Sequence, residues 1–149
     1  MKESRCCGEY TCPHGALPFF GRLLISLIFI LAGLGKIIDF QGAVDTLSSV
    51  GIGGTSIFIF IALLMELIGG ILLLIGWFTR IAIWLLMIFL LPTTLIFHGF
   101  WNYTGPEMAL QLSIFLKNLT IYGGLFAFYS YGPGRWSLDA GCSCKRKES

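Results

Sequence analysis

Four long apolar stretches fill this chain, about Phe19–Ile38, Ser56–Phe78, Ile81–Phe97 and Leu110–Tyr131. Three of them carry an ionisable residue well inside: Lys36, Glu66 and Lys117. Each stretch is close to the ~20 residues that cross ~30 Å of hydrocarbon as a helix, the third being the shortest. Lipid offers the backbone no hydrogen-bond partner, so a spanning segment must bond internally. The alternation of a barrel strand is missing from all four. The predicted fold class is therefore an all-α membrane protein, an antiparallel bundle of four transmembrane helices. A charge placed in hydrocarbon costs roughly 2.5–3.5 kcal/mol on insertion scales. A chain that bears this cost repeatedly is expected to use those side chains.

Composition agrees with a lipid solvent. Charged residues make up 12% of the 149, against about 25% in soluble domains. A net charge of +2 gives no reason to expect nucleic acid as a partner. The length suits one membrane domain, 19–139, between a Cys-containing N-terminal tail, 1–18, and a basic Cys-containing C-terminal tail, 140–149. It leaves no room for a soluble catalytic module. Ala32-Gly33-Leu34-Gly35 loosely imitates a signal cleavage site. Cleavage there would discard the first span and leave an odd number, so no cleavable signal peptide is expected.

Lys and Arg are distributed unevenly. One side collects Lys2, Arg5, Arg22, Arg80, Arg135, Lys145, Arg146 and Lys147, while the other has Lys36 with Asp39, Asp45 and Glu107. The positive-inside rule then puts both termini in the cytoplasm. Arg22 and Arg80 lie at the cytoplasmic helix ends, where long side chains snorkel to headgroups. The second and third spans join at a tight turn around Thr79-Arg80. The outer loop 39–54 has Phe40, Val44 and Leu47 at helical spacing, then Gly51, Gly53 and Gly54. A short amphipathic surface helix and a flexible connector both fit that pattern. Trp101 and Tyr103 suit the outer interface, and Trp77, Trp84 and Trp136 the inner one.

Gly69-Gly70 and Gly123-Gly124 allow close helix approach, and packing is the simpler reading of both. Pro92 frees a carbonyl one turn earlier in the third span and predicts a kink.

Depth counted at 1.5 Å per residue places Lys36 near the outer end of the first helix and Glu66 about 15 Å into the second. His98 closes the third helix, and Lys117 lies roughly 10 Å into the fourth with Asn118 beside it. The outer half of one bundle can thus hold Lys36, Glu66, His98, Lys117 and Asn118. A Glu66–Lys117 pair is expected to form a neutral polar site in low dielectric, and His98 can exchange protons near neutral pH. Charge pairs of this kind also serve simply to lock helices together.

Cys6, Cys7, Cys12, Cys142 and Cys144 all fall on the cytoplasmic side of this topology and are expected to be reduced. With His14 they offer the ligand types of a soft-metal site, but Cys6-Cys7 and Cys142-Ser143-Cys144 are not standard zinc spacings. Two unrelated tails are the simpler reading, and no metal ligands are assigned.

A family resemblance gathers these motifs. Gly21-Arg22-Leu23-Leu24, Ala32-Gly33-Leu34-Gly35-Lys36, Glu66-Leu67-Ile68-Gly69-Gly70 with Gly76 and Thr79-Arg80, His98, Phe115-Leu116-Lys117-Asn118 with Gly123-Gly124, and Gly132-Pro133-Gly134-Arg135-Trp136-Ser137-Leu138-Asp139 together resemble the DoxX family. The resemblance covers about Phe19–Asp139. It implies a small bacterial inner-membrane protein of four helices. Some relatives are subunits of thiosulfate:quinone oxidoreductase, and others belong to thiol redox complexes with soluble partners. It carries over no settled catalytic set, and the Cys-bearing tails depart from the family pattern.

The resulting expectation is a membrane subunit of a redox complex that links a sulfur or thiol donor to quinone and works with partner subunits. Glu66 and Lys117, flanked by Lys36 and Asn118, would hold the quinone head group, and His98 would relay protons. The alternative is a non-enzymatic transporter or a soft-metal or thiol-handling protein that uses the Cys tails.

Overall fold

The computed structural model describes residues 16–49, 51 and 53–139. The cysteines and His14 lie outside them. Among the described residues there are five helices: α1 (Leu17–Ile38), α2 (Phe40–Ser49), α3 (Thr55–Ile75), α4 (Thr79–Phe97) and α5 (Gly105–Tyr131). A 3₁₀ turn, Phe100–Asn102, precedes α5. All except α2 are long and apolar enough to span a bilayer, as the sequence predicts. Their outward Leu, Ile and Phe side chains are largely exposed, the arrangement expected of a bundle dissolved in lipid.

Small residues decide which helices approach. α3 sits between α1 and α4, and its glycine pair serves both neighbours. A Cβ on Gly69 would lie 2.7 Å from Leu86 of α4, and one on Gly70 would lie 2.9 Å from Ile30 of α1. Gly33 of α1 returns the contact, with Leu67 at 2.7 Å from the position of a Cβ. Packing is thus the role of Gly69-Gly70. Phe29, Leu73, Ile83, Leu86 and Leu125 form the buried core. The ends of α3 and α5 differ from the hydropathy pattern. α3 stops at Ile75 because Gly76 turns left-handed, and α5 begins at Gly105, one turn before its apolar run, with Pro106 in its first turn.

The loop after α1 is helical, which settles the alternative left open by its sequence. Asp39 accepts from the Gly42 amide at 2.9 Å, and α2 buries Val44 and Leu47 against Ile59. This end of the bundle is called the α2 end, and the opposite one, with Arg22, Arg80 and Arg135, the basic end.

At the basic end, Arg22 does not snorkel. It is fully buried. Its Nη1 donates to the Leu73 and Leu74 carbonyls at 3.4 and 3.3 Å, and its Nη2 to the Trp136 carbonyl. The last carbonyls of α3 lack helical donors, and a guanidinium offers several donors in one plane, so it is drawn inward. Arg80 remains exposed, 5.7 Å from the Tyr129 ring.

The chain after α5 folds back beneath this lock. The Leu138 amide donates to Ile75 and the Asp139 amide to Gly76, at 3.3 and 2.9 Å. Asp139 accepts from the Phe78 amide, the Thr79 amide and Thr79 Oγ1, at 3.1, 2.8 and 2.7 Å. It therefore caps α4 from outside the helix. Burial pushes the Asp139 carboxyl up, but the Thr79 and Phe78 donors and the Arg22 charge outweigh this and hold it below its ordinary value.

Loss of the cap in Asp139→Ala should cost about 1 kcal/mol of stability. Because the native carboxyl titrates below the unfolded one, this contribution is complete above the unfolded value near pH 4 and is lost as pH falls through the native value. Unfolding in detergent should show a constant gap between wild type and Asp139→Ala at neutral pH and a shrinking gap in acid. A gap that grows in acid would contradict the capping role.

Candidate functional site

Lys36 occupies the last turn of α1, and Glu66 lies in mid-α3. Side chains of a helix tilt toward its N-terminus, so the Lys36 stem runs back from the α2 end into the bundle. Its Nζ meets Glu66 Oε1 at 2.9 Å and Oε2 at 2.7 Å. Gly33, one turn earlier on α1, brings the two helices close enough for this contact. Glu66 is 4% exposed. An ammonium has three N–H donors, and Glu66 takes two. The Lys36 side chain remains 23% exposed, toward a cleft.

That cleft has a volume of about 700 Å³. It runs between α3 and α4, with Thr46 and Leu47 of α2 as its roof. Phe58, Ile61, Ile88 and Phe89 contribute apolar walls. Several wall residues are also lipid-facing, Phe58, Ile61 and Ile88 among them, so the mouth opens sideways toward hydrocarbon. Pro92 lines the cleft and has no N–H to give the Ile88 carbonyl one turn earlier. Thr93 and Thr94 each bond back into α4, to Phe89 and Leu90, at 2.9 and 2.7 Å.

His98 closes the cleft at the α2 end. Its Nδ1 lies 2.9 Å from Gln111 Oε1, a contact that orients the ring. Lys36 Nζ lies 6.0 Å from the Phe89 ring. Nine residues of α4 separate Phe89 from His98, roughly 13 Å of rise. The cleft thus has a cationic deep end and an imidazole at its outer end. These are two levels, not the single level expected from the sequence.

The predicted residues separate accordingly. Lys36 and Glu66 come together, and His98 shares their cleft at a distance. Asn118 bonds across to Thr94, Nδ2 to Oγ1 at 3.0 Å. The expected Glu66–Lys117 pair does not form, because α5 packs on α4 and on the edge of α1, not on α3. Lys117 precedes Asn118 by about 100° around the helix, and it points away from the bundle, exposed. Glu66 pairs with Lys36 instead, Nζ to Oε2 at 2.7 Å. Apolar walls are expected from the sequence, but Gln111 and the identity of the wall residues are not. The signal available for Gln111 is an amide side chain in the second turn of a largely apolar helix.

The first four helices, the cleft and the ion pair coincide with a family match. The DoxX family model matches residues 17–99. The chain belongs to the DoxX family. It is 34% identical over 131 residues to Inner membrane protein YphA of Escherichia coli (strain K12), covering 88% of this chain and 94% of that one. It is also 34% identical over 118 residues to Inner membrane protein YqjF of the same organism, covering 79% and 85%. No solved structure matches. The DoxX match contains Lys36, Glu66 and His98 and ends before Lys117 and Asn118. The chain is an integral, multi-pass membrane protein of this family.

A double-mutant cycle separates the two candidate partners of Glu66. Lys36→Met and Glu66→Gln should show a coupling of about 1–3 kcal/mol in unfolding from mixed micelles, because either change alone strands a charge. Lys117→Met and Glu66→Gln should add to within about 0.5 kcal/mol. Coupling through Lys117 instead would contradict this geometry.

Proposed function

We propose that this DoxX protein is a quinone-binding subunit of a redox complex in the bacterial inner membrane, with both termini cytoplasmic. The observation that carries the reading is the Lys36 ammonium, held by Glu66 with one donor left over, at the deep end of an apolar cleft open to lipid. Quinones partition into hydrocarbon, so a lateral mouth is the natural entrance for one. The cleft volume lies within the range of small-ligand pockets, and its few polar groups among many apolar ones match their usual make-up. Intramembrane ionisable residues point to function by default.

A bound quinone would supply two-electron, two-proton chemistry, with two thiols of a partner becoming a disulfide as the quinone becomes quinol. Lys36 would donate to one head-group oxygen. Glu66 would fix the ammonium without touching the ligand. His98 would exchange protons at the α2 end, too far out to share a head group with Lys36. Phe58, Phe89 and the aliphatic walls would hold the ring and its tail. The reading of cytoplasmic termini is supported by the uneven distribution of Lys and Arg along the sequence. The inner-membrane location draws on the names of the two relatives.

The test is binding of a ubiquinone or menaquinone analogue to protein in lipid nanodiscs. Lys36→Met should weaken binding about tenfold or more, the worth of one charged hydrogen bond. Lys117→Met should leave it unchanged. No saturable binding by the wild-type protein, or equal affinity in Lys36→Met, would leave the ion pair as a lock between α1 and α3.

A further inference from the structure

Coverage and polarity of the spans run in opposite directions. α5 is the least apolar of the four long helices, yet it is the least covered, and Leu125 is its one buried side chain. Lipid should reward the reverse order, because polar groups gain nothing from facing hydrocarbon. The outward face holds the explanation. Ser113, Lys117 and Thr120 follow each other at four- and three-residue spacing, and Gly123 and Ala127 continue the face toward the basic end; all five are exposed. Lys117 has no ion-pair partner among the described residues. A Cβ built on Gly123 meets nothing within 4 Å. Gly124 beside it does pack, against Ile25. The glycine pair is thus used on one side and unused on the other.

We infer that this face of α5 is a docking surface for a transmembrane helix of a different membrane protein, which presents an Asp or Glu carboxylate to Lys117. Charge selects the occupant. A small-residue face lets a second helix approach closely, and an ammonium in low dielectric favours a partner that brings the opposite charge. A second copy of this chain fits poorly. A twofold contact through this face would set Lys117 against Lys117, and Glu66, the carboxylate at depth, is already bound to Lys36. A phospholipid headgroup reached by the Lys117 stem would satisfy the charge. It would leave Gly123 and Ala127, roughly 9 and 15 Å further along the helix, with no reason to be small. The surface lies on α5, away from the cleft between α3 and α4, and the inference stands whether or not the cleft binds quinone.

The test uses the full chain in its own cell membrane, with the photocrosslinker p-benzoylphenylalanine placed at Ser113 or Thr120. The expected result is one discrete protein adduct at both positions. Its crosslinked peptide, sequenced by mass spectrometry, should be a transmembrane segment containing Asp or Glu. Yield should fall about tenfold in Lys117→Met, be kept in Lys117→Arg, and return when Lys117→Glu is combined with a Lys in place of the partner's carboxylate. Gly123→Leu provides a variant that does not depend on the charge. Open space surrounds that position in the chain itself, so the protein should keep its stability in detergent and lose the adduct. Adducts to phospholipid alone, adducts to a second copy, a partner segment with no carboxylate, or yields unchanged in both Lys117→Met and Gly123→Leu would each overturn the inference.

Discussion

The Lys36–Glu66 ion pair is the constraint on which the α2 end of this protein depends. Two charges taken into lipid are tolerable only in contact, and contact is possible only if α1 and α3 approach closely. Gly33 and Gly70 allow that approach from the two sides of one interface. The pair then limits what can sit beside it. Glu66 is enclosed by packed helix, while Lys36 keeps a free edge on the α3–α4 cleft. One ion pair thus joins two helices and also provides the cleft with its cation. A helix lock and a ligand donor need not be competing explanations of the same two residues.

The basic end solves a different problem with another buried charge. Arg22 gathers the Leu73 and Leu74 carbonyls at the end of α3, and Asp139 supplies the missing acceptor at the start of α4. Both act on the tight α3–α4 turn, where Gly76 and Phe78 take left-handed conformations. The Gly132–Asp139 segment that a motif reading attributes to family resemblance is therefore structural: it ties the chain just after α5 to the turn between the middle helices. With α1 and α3 fixed at the α2 end and α3 and α4 fixed at the basic end, α5 is the least buried of the four spans, and its outward face is left uncovered.

Much of this was legible in the sequence because the solvent is lipid. Twenty-residue apolar runs mark spans directly, and the four helices coincide with them apart from terminal turns set by Gly76 and Pro106. The spacing of Phe40, Val44 and Leu47 indicated a helical face, though only packing on Ile59 could settle that it folds. Neighbour relations were not legible. Depth counting put Lys36 too near the surface for Glu66, because it located the Cα and ignored a long side chain that runs back along the helix. It put Lys117 beside Glu66 because depth says nothing about which helices touch or which face turns inward. The general behaviour of terminal arginines points Arg22 to headgroups, but the demand of the α3 carbonyls is stronger. The Asp139 cap was invisible for the same reason: its partners lie some sixty residues earlier in the chain.

The central claim is that the cationic end of the lateral cleft is where a lipid-soluble ligand is held. Labelling with a photoreactive azidoquinone in native membranes tests this most directly. The account predicts adducts confined to the peptides spanning Phe58–Met65 and Ile88–Thr93, suppressed by excess unmodified quinone and lost in Lys36→Met. Adducts spread along the outward faces of α1 and α5, or the same cleft labelling in Lys36→Met, would contradict it.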